Sequence, residues 1–297
     1  MKKFFIFLFG AYLSTICNTF AKADITAKHG ALYVENATYA EVEKLFKKYG
    51  YVEFEHPRLQ IPRIYLKTLP TDWKNIEKSD EKNRMFIRIM LPLIMKINEE
   101  LALERMPVQA LWEKVQNGKT LNNEERQFIE KKASEYDIFT INKKDNRYYL
   151  LLKELSEKID ELPPAFLIAI AGVYSDWGNS RIATEGNSLY REEVWYSDDG
   201  IIPDVPNAEF RYRRFSSLED GLRSFMHKVN SNITYRFVWA ARDQSREIER
   251  KVLGEQIIAA MSYEGKLKNI TGMLDFNLSY YKLNKTDILP KLRDVKP

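Results

Sequence analysis

Residues 168–195, IAIAGVYSDWGNSRIATEGNSLYREEVW, decide how this chain is to be read. Pro163-Pro164 precede an almost wholly apolar run from Ala165 to Val173, and proline is well suited to the first turn of a helix. A helix without a polar face belongs in the middle of a domain. It ends in Tyr174-Ser175-Asp176-Trp177-Gly178-Asn179-Ser180-Arg181, and a short aromatic-rich stretch from Ser188 to Phe215 follows, with Gly200 and Pro203 between strand-like pieces. That stretch predicts a small hairpin or β-lobe set against the end of the buried helix.

Outward from this point the pattern is helical. Asn36 precedes an apolar-periodic run through Val42, Leu45 and Phe46 that stops at Gly50. Pro57, Pro62 and Pro70 make the stretch from Glu55 to Trp73 an extended strap. Asp80 opens a long amphipathic segment in which Phe86, Ile89, Met90, Leu93 and Ile97 mark a buried face, with a kink expected at Pro92 and a stop at Asn117-Gly118. Asn122 with Glu124-Glu125 starts another helix, and Arg147 to Leu162 makes one more. Ser216-Ser217-Leu218-Glu219 resembles a capping box, after which helices continue to about Asn284. The expected class is mainly α (α+β).

Two lysines, an apolar run from Phe4 to Ile16 and Ala21-Lys22-Ala23 read as a secretory signal peptide cleaved before Asp24. Its apolar core falls well short of the roughly 20 residues that a bilayer requires. The single cysteine, Cys17, leaves with it, which excludes disulfides and sulfur-based metal sites in the mature chain. Loss of Lys2, Lys3 and Lys22 takes the 46 basic residues to 43, against 42 acidic ones. Charge therefore gives no argument for nucleic-acid binding. His227 has no partner at ligand spacing, and no metal or cofactor motif is visible, so no cofactor is expected.

The motif resembles the Bax-like branch of the bacterial endo-β-N-acetylglucosaminidase family. There a glutamate is followed by Ser, Gly, Trp, Gly, a small polar residue, Ser and Arg, and after a short gap by Gly, Asn, Asn, Leu, Phe and Gly. Ser175, Trp177-Gly178 and Ser180-Arg181 fix the register, and Glu185-Gly186-Asn187-Ser188-Leu189-Tyr190 follows. Phe86, Leu91-Pro92-Leu93-Ile94 and Asn98 match upstream. Gly200-Ile201-Ile202-Pro203, Phe215, Ser217-Leu218, Asn230 and Tyr235-Arg236 match downstream, so the likeness covers roughly Pro57 to Tyr281. It implies a lysozyme-like glucosaminidase domain with a small β-lobe at 146–290, preceded by a strap and helical region at 24–145. It also implies an exported protein, periplasmic or in the cell envelope, that meets peptidoglycan or another N-acetylglucosamine-containing glycan.

Glycoside cleavage needs a protonated acid at the leaving oxygen. In the family that acid is a glutamate at the end of the buried helix, where low dielectric lifts its pKa from about 4.3 toward about 6. Tyr174 occupies the position here. A phenol of pKa near 10 surrenders its proton too reluctantly, and loss of a general acid costs on the order of 10² to 10⁴ in rate. Three carboxylates are candidate replacements: Asp176, where the family has glycine, and Glu192 and Glu193 on the expected β-lobe, Glu193 standing where the family usually has an aromatic residue. Two helical positions turn Asp176 by roughly 200° from residue 174 unless the helix unwinds first. Arg191 also replaces a glycine.

Trp177, Tyr190, Trp195, Tyr196 and Tyr212 offer flat faces suited to sugar rings, while Arg181 and Asn187 supply hydrogen-bonding groups. Two functions stay open: a non-catalytic glycan binder built on a former hydrolase cleft, and an active glucosaminidase with a relocated acid.

Overall fold

The computed structural model describes residues 23–55, 60–139, 146–247, 251–263, 265, 267, 269–288 and 291–296. The expected signal peptide falls on residues 1–22, outside the described residues, as does Pro57 of the strap. The described chain is mainly helical with two small sheets.

The chain opens as a hairpin, β1 (Asp24–Lys28) against β2 (Ala31–Glu35), that the sequence reading did not anticipate. The strap supplies β3 (Ile64–Leu66), which pairs parallel to β2 through Leu32 with Ile64 and Val34 with Leu66. Helix α1 (Tyr39–Lys48) starts at Thr38, whose hydroxyl and the Glu41 carboxylate form a reciprocal capping box. Asn36, two residues earlier, instead takes a left-handed turn conformation at φ 55°.

Helix α2 (Asp80–Gln116) begins at the N-cap Ser79 and runs without a break past Pro92 and Pro107. Its amino-terminal half carries the face read from the sequence: Phe86, Ile89, Met90, Leu93 and Ile97 are all buried. Its other end packs with α3 (Asn123–Glu135) and α4 (Arg147–Lys158) around Val108, Ile129, Leu152 and Leu155. Helix α4 stops four residues before the expected Leu162 because the carbonyls of its last turn are taken by Arg242. That guanidinium is fully buried and donates to the carbonyls of Glu157, Lys158 and Asp160 and to Asn230 Oδ1.

Helix α5 (Pro164–Ser175) lies in the centre, with Ala165 through Gly172 buried on every side. Around it stand α2, α9 (Gly254–Tyr263), α10 (Thr271–Tyr280) and the 3-10 turn Leu283–Ile288. The short α6 (Arg181–Gly186) leads to β4 (Glu193–Trp195), which pairs antiparallel with β5 (Phe210–Tyr212). Helix α7 (Leu218–Ser231), capped by Ser217 through Asp220 rather than by Ser216 through Glu219, and α8 (Arg236–Glu247) complete the shell. The main core draws on residues from Ala31 to Leu101 and from Leu162 to Val295, so it includes side chains from both sides of the expected boundary at residue 145. No helix among the described residues is long and apolar enough to cross a membrane.

Candidate functional site

The residues that set the sequence register build the turn at the end of α5. The Ser175 hydroxyl donates to the Ala171 carbonyl at 2.6 Å and accepts from the Gly178 amide at 2.8 Å. This reverses the chain through three consecutive left-handed residues, Asp176 (φ 51°), Trp177 (φ 53°) and Gly178 (φ 81°). The Ser180 side chain then caps α6. The helix therefore ends at Tyr174 and Ser175, and whatever lies at 174 stands on its last turn.

The Trp177 ring folds back over Gly172, where a Cβ would meet ring carbons at 3.1 Å, and meets Phe86 and Tyr281 edge-on at 5.8 and 4.8 Å between centroids. It is a packing residue. Lys82, only 1% exposed, ties this turn down by donating to Trp73 O, Ile76 O and Asn179 Oδ1 at 2.6 to 2.8 Å.

Tyr174 is half-buried. Burial raises its phenol pKa, while the cation of Arg191 pulls the other way. The Arg191 guanidinium lies over the ring at 5.7 Å, and its Nε donates to the Tyr174 carbonyl at 2.7 Å. Burial also pushes Tyr235 up to about 12, with Tyr174 and Glu192 adding to the rise. Tyr174, Arg191, Glu192 and Tyr235 thus share one electrostatic neighbourhood where the β-lobe meets α5 and α7.

The three candidate carboxylates separate. Asp176 is exposed, left-handed and bonded to Lys78. Glu193 is exposed on β4, opposite Tyr212. Glu192 is 7% exposed and turns inward to α7, where its Oε2 accepts from the Ser224 hydroxyl at 3.0 Å and its Oε1 has no partner. Burial lifts this carboxyl above the usual range against the opposing pull of Ser224, Lys228 and Arg213.

A raised folded pKa means that the folded state holds the proton more tightly than the unfolded chain does. Stability from this group therefore falls as pH rises from about 4.5 through the folded value, and levels off above it. Glu192→Gln keeps an acceptor for Ser224 without a charge to desolvate. Melting curves from pH 4 to 8 should show the variant melting above the parent at pH 8 and losing the slope. A variant that melts well below the parent at every pH would refute this.

The expected sugar-contacting residues divide as well. Tyr190 is buried at 5% exposure, stacked on Phe225 at 4.2 Å and 4°, and holds the lobe to the core. Asn187 takes a left-handed conformation, and its amide donates to Phe215 O at 3.1 Å. Arg181 binds Asp204 at 2.9 Å and the Ile202 carbonyl, closing the loop between the strands. Trp195 and Tyr196 remain outside at 53% and 93% exposure. The register pairs Trp195 with Phe210 and Glu193 with Tyr212, so these four share the outer face of the hairpin. Centroid spacings of 5.3 Å from Trp195 to Phe210 and 5.4 Å from Phe210 to Tyr212 make a continuous aromatic strip.

Ser224 and Tyr235 complete the neighbourhood without having been singled out for it. The one signal for Tyr235, which ends the 3-10 turn after α7, was the Tyr235-Arg236 pair in the downstream match. No group of three or more His, Cys, Asp or Glu side chains among the described residues is placed to hold a metal ion.

No family model matches the chain. Protein bax of Escherichia coli (strain K12) is 22% identical over 206 residues, which cover 67% of this chain and 70% of that protein. The crystal structure of the catalytic domain of the autolysin Auto from Listeria monocytogenes is similar at 18% identity, over 57% of this chain and 90% of that one, with a TM-score of 0.32.

Proposed function

We propose that this chain is an exported, non-hydrolytic relative of the peptidoglycan N-acetylglucosaminidases that binds N-acetylglucosamine-containing cell-wall glycan. In this reading residues 146–290 are the glucosaminidase-like unit of lysozyme-like fold, and residues 24–145 brace it. The similarity to Protein bax supports the lineage. The observation that carries the loss of hydrolysis is that Tyr174 and Arg191 close the last turn of α5, while the carboxylates of Asp176, Glu192 and Glu193 face Lys78, Ser224 and the outer hairpin surface. In this reading none of these three carboxylates is aimed at the place where a leaving oxygen would be protonated, and the exposed aromatic strip still offers sugar rings a flat apolar surface.

One observation favours a second reading. Glu192 combines burial with a raised pKa, the property of a general acid, beside Tyr235 and Tyr174. It would have to swing away from Ser224 to act.

The mature protein incubated with purified peptidoglycan separates the two. It should co-sediment with the wall and release no reducing ends above a protein-free control, and Trp195→Ala should weaken binding about tenfold. Release of reducing ends that Glu192→Gln abolishes would replace the first reading with the second.

A further inference from the structure

We propose that Arg191 reads a carboxylate on the bound glycan, an inference that rests on the glycan-binding reading above. Its backbone is the first sign. At φ 51° it is left-handed, a conformation that costs a residue with a Cβ on the order of 1 kcal/mol and favours glycine, so an arginine here is held against a local penalty.

The second sign is how the side chain is held. Nε donates to the Tyr174 carbonyl and the guanidinium plane covers the Tyr174 ring, which uses one of the five N–H groups and fixes the direction of the others. The residue is exposed, and no carboxylate of the described residues pairs with it. Its neighbours differ: Arg181 is bound to Asp204, and Arg211 lies 3.9 Å from Asp198. The nearby Glu192 does not compete, since its carboxyl is turned to Ser224 and burial disfavours its charge. What remains is an exposed, oriented cationic fork beside the half-buried ring of Tyr174.

A planar guanidinium fork matches a carboxylate through two parallel hydrogen bonds. A chain of N-acetylglucosamine alone carries no charge to meet it. The complementary ligand is a hexosamine glycan that bears carboxylates, either as a lactyl ether on alternate sugars or on a peptide amide-linked to that lactyl group.

Isothermal titration of the mature chain with three tetrasaccharides tests this: neutral N-acetylglucosamine oligomer, the alternating N-acetylglucosamine and N-acetylmuramic acid oligomer with free lactyl carboxylates, and the same oligomer with a peptide on each lactyl group. At low salt a carboxylate-bearing oligomer should bind about tenfold tighter than the neutral one. The gap should close as salt rises and vanish in Arg191→Gln, with neutral affinity unchanged. Whichever acidic oligomer keeps the advantage identifies the source of the carboxylate.

Arg191→Gly supplies a second readout. It should melt at or above the parent, because the left-handed strain is relieved, while losing the preference. An arginine with only a structural role would instead lower the melting temperature when removed. Equal binding of all three oligomers, unaffected at Arg191, overturns this inference and leaves the glycan reading standing. Failure of every oligomer to bind overturns both.

Discussion

Tyr174→Glu combined with Arg191→Gly should turn this protein into a measurable hydrolase, releasing reducing ends from peptidoglycan at least about 10²-fold above the parent, while Tyr174→Glu alone should stay close to background. The reason is electrostatic. A carboxyl at 174 stands on the last turn of a helix buried on every side, an environment that raises its pKa and keeps it protonated near neutrality. The guanidinium that now covers the Tyr174 ring would lie against that carboxyl and hold it ionised, since an opposite charge within a few ångströms favours the charged form. An ionised carboxylate cannot donate a proton to a leaving oxygen. Removing the arginine also frees a position whose left-handed backbone suits glycine. The assay is reducing-end release across pH 5 to 8, with the two single variants as controls. Equal activity of Tyr174→Glu with and without Arg191 would refute the role given to the cation. Silence of the double variant, with its fold intact by circular dichroism, would show that more than the acid has been lost.

Asp287→Ala should destabilise the protein by about 3 kcal/mol or more. Asp287 is fully buried in the turn after α10 and accepts from two helix beginnings at once, the Ala165 amide of α5 at 2.8 Å and the Gly254 amide of α9 at 2.7 Å. Truncation leaves both donors without partners in a site closed to water. Burial pushes this carboxyl up to about 7 from 3.8 despite the two amides, so its contribution to stability falls as pH rises from about 4 to 7. Asp287→Asn should therefore cost less than Asp287→Ala, because the amide oxygen still accepts one bond, and should flatten stability against pH in that window. Urea unfolding at pH 5 and pH 8 measures both. A loss below about 1 kcal/mol in Asp287→Ala would show that the two helix ends find other acceptors.

Much of the architecture was legible because it is local. The buried face of α2, the proline start of α5, the Asn122 cap and the aromatic hairpin follow from periodicity and capping chemistry carried by neighbouring residues. The amino-terminal sheet was not legible, because β3 joins β2 across about thirty residues that include α1, and its three residues carry no alternation to announce it. The early end of α4 was hidden for the same reason, since the guanidinium that takes its carbonyls comes from α8.

The candidate site divides along that line. The sequence alone determined that a phenol stands at the end of a buried helix, that the Ser175 to Arg181 motif follows it, and that aromatic residues crowd the hairpin. These are matters of residue type and order. Tertiary structure decided which side chains are free to act. It stacked Tyr190 on Phe225, spent Trp177 on Gly172 and Arg181 on Asp204, turned Glu192 to Ser224, and left Trp195, Tyr196 and Arg191 outside. The physical reason is that a side chain's availability depends on which distant element takes its polar atoms or covers its ring. Spacing along one strand or helix carries no record of that.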